Sequence, residues 1–261
     1  MIAVLWLHLF ASSRRVCLAP SASVVLMLLL WLIYVADRIL DTLTIGSGIA
    51  EATRHRYFRA HRRAFVAPFV LVSGIAAWTA DSLDSKTLFL GATLMFVVAA
   101  YFLVVHIFRT KGQVWFPKEA VVAIVFGLGT YLPLARVTGA NATVLAPVIL
   151  FVLICWVNLV IIEHSEWVRL RRSKSENPHS STIAAGAHVV LFSLAVAALA
   201  TSMMIFHRFS LARPILLGET FSAIALATLG AHWHRISDDA VRVLADAALL
   251  TPAAILPFLH R

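Results

Sequence analysis

The sequence predicts an all-α polytopic membrane protein, on two facts of composition and one of pattern. Of the 261 residues, 61% are hydrophobic and 13% charged, where a soluble domain carries about a quarter charged residues. Mean hydropathy is +0.87. The apolar residues gather into runs of about 20, the length a helix needs to cross a hydrocarbon core. No run alternates as a barrel strand would. Residues 1–261 therefore read as a single integral membrane domain. The net charge of +9 does not mark a nucleic-acid binder, because the basic residues sit in short loops between apolar runs, as topology signals do. Cys17 and Cys155 lie in or beside apolar runs and imply neither a disulfide framework nor a zinc site.

Residues 1–11 are apolar but too short to span untilted, and Ser12, Ser13, Arg14 and Arg15 follow them. They lack the basic start and small-residue cleavage site of a signal peptide. A shortened first helix, clipped by a mis-assigned start, is expected. The later spans are read at 20–40, 65–80, 87–108, 117–135, 143–163, 182–206, 214–231 and 240–259, giving about nine helices by the length rule. Pro117 and Pro214 fall at helix starts, where a missing N–H costs little. The triplet Asn141-Ala142-Thr143 matches a glycosylation sequon, a pattern too frequent by chance to carry weight.

Charge divides the connections into two sets. The even-numbered ones hold Arg54, Arg56, Arg59, Arg62 and Arg63, then Arg109, Lys111 and Lys118, then Arg169, Arg171, Arg172 and Lys174, and last His232, His234 and Arg235. The odd-numbered ones are poorer in positive charge, and one carries Asp81 and Asp84. By the positive-inside rule the N-terminus and the even connections face the cytoplasm, and the expected setting is a prokaryotic inner or cell membrane.

The second and sixth spans both end in acids and lead into the two most arginine-rich loops. Asp37 and Asp41, four apart, share one face of a helix. Glu163 and Glu166, three apart, are neighbours on another. Mg2+ takes an oxygen shell of one or two carboxylates, waters and substrate phosphate. Two such pairs, with basic loops to hold the remaining phosphate charge, suit a metal–diphosphate site. The competing reading is interfacial ion pairing, Asp37 with Arg38 and Glu166 with Arg169.

These residues carry a family likeness. The chain resembles the UbiA superfamily of intramembrane prenyltransferases, which has nine helices and an Asn-Asp-x-x-Asp-x-x-x-Asp motif ending the second. Ala36-Asp37-Arg38-Ile39-Leu40-Asp41 matches its last six positions, and Glu163 to Glu166 fall on the second acidic motif. Lys118 with Phe126-Gly127-Leu128-Gly129 matches the start of the family's fifth helix, and Ser181-Thr182 the start of its seventh. Ile33 and Tyr34 stand where the family has Asn and Asp, and the second motif has Glu for Asp at shorter spacing. The resemblance implies Mg2+-dependent transfer of a prenyl group from a polyprenyl diphosphate to a lipophilic aromatic acceptor, in a UbiA-like bundle around a central cavity. Asp37, Asp41, Glu163 and Glu166 are then the metal and catalytic carboxylates. Arg38, Arg54, Lys111 and Lys118 contact phosphate, and Tyr34, Trp156 and Trp167 supply aromatic faces to the allylic cation. For the aromatics the competing reading is an interfacial belt.

Two further acids lie inside predicted spans. Asp246 is four residues after Arg242, as in a helix-internal ion pair. Glu219 has no local partner except His188 of the preceding span, which makes it an ion-path candidate. Two alternatives to the enzyme therefore stand: a non-catalytic lipid- or partner-binding protein of the same fold, and a small ion-coupled transporter.

Overall fold

The computed structural model describes residues 1–44, 62–109, 117–139, 141–170 and 180–259. Every regular element among them is helical: α1 (Ile2–Ser13), α2 (Pro20–Thr44), α3 (Arg62–Asp81), α4 (Ser85–Arg109), α5 (Lys118–Thr138), α6 (Ala142–Leu170), α7 (Ser180–Ala187), α8 (Val189–Ile205), α9 (Arg213–His232), α10 (Asp238–Ala248) and α11 (Thr251–Leu259). Short 3-10 turns, His207–Ala212 and Trp233–Arg235, flank α9. Six segments among the described residues are long and apolar enough to cross a membrane. Helices α7 and α8 together make a seventh if their bent pair is one span, and α1 and the apolar part of α3, Phe65–Asp81, are shorter. Large apolar side chains lie open on the surface, Ile205 at 79% and Phe258 at 71% exposure. A soluble protein avoids such patches, and a lipid-facing surface requires them.

The chain divides into two compact units, Ala19–Trp115 on one hand and Met1–Leu18 with Phe116–Arg261 on the other. In the first, α3 packs along α2 and α4 touches α2 more lightly. In the second, α6 is the central helix, touching α5, α7, α8, α9 and α10. A helix apolar on all sides is one that is surrounded, and Val148, Phe151, Ile154, Val157 and Ile161 of α6 are all buried.

Helix α1 belongs to the core of this second unit. Trp6, Leu7 and Leu9 are 0% exposed. The Trp6 ring lies 4.5 Å from that of Phe151, and Phe10 meets Tyr131 and Phe151 edge-on at 6.0 and 5.9 Å. The short apolar segment expected at the chain's start is thus a packed helix against α5, α9 and α11.

Two segments read as continuous spans are broken. The first breaks at His188, where α7 and α8 diverge by 74°. The second breaks at Leu249–Leu250, and Pro252 supplies the reason: it has no N–H to give the Ala248 carbonyl. Ala253 N–H donates to Leu250 O at 2.9 Å, tightening the turn. That frees the Leu249 carbonyl, which accepts the Trp6 indole N–H at 2.9 Å.

Hydrogen bonds and ion pairs sort the connections of the second unit between its two ends. At one end the Thr182 hydroxyl donates to Glu119 at 2.8 Å, and Arg169 reaches the α9–α10 connection. At the other, the Arg14 guanidinium donates to the Thr143 carbonyl. The helix ends that flank the even-numbered connections of this unit therefore lie together, and those that flank the first and fifth meet elsewhere. There Asn141 caps α6, its Oδ1 accepting from Val144 N–H at 3.2 Å and the Thr143 hydroxyl at 2.7 Å. The sequon-like triplet is a helix cap.

Candidate functional site

The polar residues of the second unit concentrate where α6 ends and α5 and α7 begin. Glu119 sits in the first turn of α5, where the helix dipole favours a carboxylate. It accepts the Thr182 hydroxyl from the start of α7, and Thr182 is itself buried. Across from it on α6, Glu163 is half-buried. Glu119, Glu166, Lys118 and Arg242 all lie within its electrostatic range. Three acids and two bases thus crowd one end of the bundle.

The neighbouring carboxylate is already engaged. Glu166 takes the guanidinium of Arg242, from the amphipathic helix α10, through Nε and Nη2. One turn on, Arg169 pairs with Asp238 at 3.1 Å. It also donates to the carbonyls of Trp233, at 2.7 Å, and Ile236, and its guanidinium stacks 5.6 Å over the Trp233 ring. The ion pairs expected from sequence were Glu166 with Arg169 and Arg242 with Asp246. The structure pairs both arginines across helices instead. Asp246 keeps Arg242 and Asn158 within range. Both exchanges have one cause: α10 lies against α6, so the shortest path from each guanidinium to a carboxylate crosses the interface.

His164 packs between the Trp167 and Trp233 rings, at 6.1 and 5.8 Å. Gly186 of α7 presses on it: a Cβ there would stand 2.2 Å from His164 Nδ1 and 2.6 Å from its Cβ. In the Phe126–Gly129 stretch, Gly127 plays the same part, since its Cβ would meet Val152 Cγ2 at 2.3 Å. Both glycines are close approaches between helices. Trp156 lies seven residues before Glu163, on the same side of α6, and meets Phe192 of α8 edge-on at 5.5 Å.

In the first unit, α2 carries Tyr34, 52% exposed, and the half-exposed Asp37. Arg38 and Asp41 belong to α2, but their side chains lie outside the described set, and Arg54 and Lys111 lie outside the described residues altogether. Among the described residues no three His, Cys, Asp or Glu side chains form a metal-holding group. Glu219 of α9 is 0% exposed, and neither carboxylate oxygen has a hydrogen-bond partner among the described residues. His188, its expected partner, is exposed at the α7–α8 break, while Cys155 of α6 lies within range.

The sequence reading passed over Glu119 and Asn158. Asn158 was open to view as an amide inside an apolar run. Glu119, beside Lys118 at the head of a helix, carried no signal until α7 folded back onto it.

Fold and site together define a polytopic all-α membrane protein with a mixed-charge cluster at one end of its larger unit. Comparison with protein-family models, with curated proteins and with solved structures returned no match.

Proposed function

We propose that the chain is an intramembrane prenyltransferase of the UbiA type, transferring a prenyl group from a polyprenyl diphosphate to a lipophilic aromatic acceptor, with the charged cluster on the cytoplasmic side. One observation carries the reading: Glu163, half-buried near the end of a membrane-length helix, has Glu119 and Glu166 and the cations Lys118 and Arg242 within its range. Carboxylates and cations mixed at a membrane boundary suit a metal–phosphate complex better than either sign alone.

Mg2+ would be held by two protein carboxylates here, Glu163 and Glu119, the rest of its shell coming from substrate and water. Mg2+, when bound, neutralises charge on a departing diphosphate. Lys118 attracts the diphosphate and stabilises it as the allylic C–O bond breaks and the oxygen keeps the electron pair. Breaking that bond leaves an allylic cation, and the tail lies along α6 toward Trp156, about 10 Å from Glu163. The acceptor's ring carbon then bonds to that cation and loses its proton to solvent.

The test uses purified protein with labelled prenyl diphosphates and a panel of lipophilic phenols, with and without Mg2+. Turnover should require the metal and fall on the order of 100-fold in Glu163→Gln, as when a charge-stabilising group is removed. Asp41→Asn tests the α2 motif in the same assay. Turnover unchanged in both variants overturns the site.

A second reading rests on the Glu166–Arg242 pair, which occupies one carboxylate of the motif. A non-catalytic descendant would hold the lipid diphosphate without reacting it, giving saturable binding that needs no Mg2+ and no turnover with any acceptor.

A further inference from the structure

Away from the charged cluster, α9 and α11 diverge around a groove of about 610 Å³. Pro214, Leu217 and Phe221 of α9 form one wall, and Ala254, Ile255 and Phe258 of α11 the other. The two helices run antiparallel: the Ser222 and Thr251 hydroxyls meet at 2.8 Å, and Thr251 donates to the Gly218 carbonyl at 3.1 Å. The start of α9 therefore lies beside the end of α11, and there Arg213 closes the groove as its one charged lining residue. Arg213 is exposed, and no acidic side chain pairs with it among the described residues. His207 and Arg208 precede it in the 3-10 turn, so this end is basic.

From Arg213 to Phe221 the helix rises about 12 Å, close to one leaflet of a hydrocarbon core about 30 Å thick. An apolar trough of leaflet depth, with a guanidinium at its mouth that is unpaired among the described residues, matches a chain topped by a negative charge. We propose that this groove holds one acyl chain of an anionic phospholipid, its headgroup phosphate on Arg213. The site is independent of the reaction proposed above. Charge selects this occupant: a zwitterionic headgroup offers the same phosphate but sets its own cation beside Arg213, and a second copy of the chain brings no anion to a guanidinium that is unpaired among the described residues.

Native mass spectrometry of the full-length protein, released from detergent with equal phosphatidylglycerol and phosphatidylcholine, tests this. The wild type should retain one phosphatidylglycerol with about fivefold preference, the effect of one cation at an anionic headgroup. Arg213→Gln should abolish the preference and Arg213→Lys preserve it. Ala254→Trp, which fills the groove, should lose both lipids. On the wild type alone, photoactivatable phosphatidylglycerol should label peptides within 204–221 or 251–259. Equal retention of the two lipids, a preference surviving in Arg213→Gln, or labelling elsewhere overturns the proposal. So does an Ala254→Trp variant that dissociates a dimer while keeping its lipid.

Discussion

Glu219 is an acid at the centre of a packed unit, beneath Trp6 and Leu9, which close over the adjacent Gly218. A buried polar group without a partner costs stability, and its replacement by an apolar group of similar size is neutral or favourable. Glu219→Leu should therefore leave the unfolding midpoint in detergent unchanged or raise stability by up to about 2 kcal/mol. A drop of that size instead would mean the carboxyl has a partner. The same variant bears on the transporter alternative, since an ion path through Glu219 would lose flux in liposomes while the protein stayed folded. The half-buried Glu166–Arg242 pair behaves differently, because truncating either partner removes a charge-assisted hydrogen bond between α6 and α10. A double-mutant cycle with Glu166→Gln and Arg242→Gln should give a coupling of about 1–2 kcal/mol, little weakened by salt since the pair is not fully exposed. Zero coupling would reduce it to a surface contact. At this scale sequence reasoning identified the charged residues and mispaired them. Spacing along one helix ranks the neighbours at three and four residues, and these guanidiniums found theirs on another helix.

The bends are decided by elements meeting. Pro252 removes one helical hydrogen bond, and Trp6 satisfies the carbonyl that the tightened turn releases. Trp6→Phe leaves that buried carbonyl without its donor and should cost about 1–3 kcal/mol, read as a lower unfolding midpoint. A loss within error would show that water or another donor serves Leu249. At the other break, Gly186 lets α7 lie against the root of the His164 side chain. Gly186→Ala should destabilise by about 1–3 kcal/mol through overpacking, and the same change in a His164→Gly background, which lacks the Cβ 2.6 Å away, should cost much less. Failure of the second change to relieve the first would locate the strain in the α7 backbone. Both prolines at predicted starts are where they were expected, Pro117 at the N-cap of α5 and Pro214 in the first turn of α9. Proline at a helix start acts through its own missing N–H. A kink depends also on what packs against it, which is why Pro252 was read as part of a continuous span.

Across the whole molecule, membrane residence and helix placement are plain in the chain. The segments at 20–40, 87–108 and 143–163 fall within helices of the structure, and 117–135 does from its second residue on, because length and apolarity are properties of a stretch considered alone. Alternation of basic and non-basic connections has the same local origin. It predicts the topology, with the arginine-rich end in the cytoplasm. Single cysteines at 112, 174 and 235, in a chain with Cys17 and Cys155 replaced, should react with impermeant reagent only from the cytoplasmic side, and those at 83 and 210 only from the opposite one. Any of the first three reacting from the outside would invert the assignment.

What the one-dimensional chain settles is how much of it lies in lipid and where each passage begins, since partition between water and hydrocarbon acts on each segment separately. Which acid answers which base, where a span breaks, and that Glu119 joins Glu163 were settled only when helices came into contact. An ion pair or a glycine contact is a relation between residues tens of positions apart, and its energy depends on a distance that no local pattern contains.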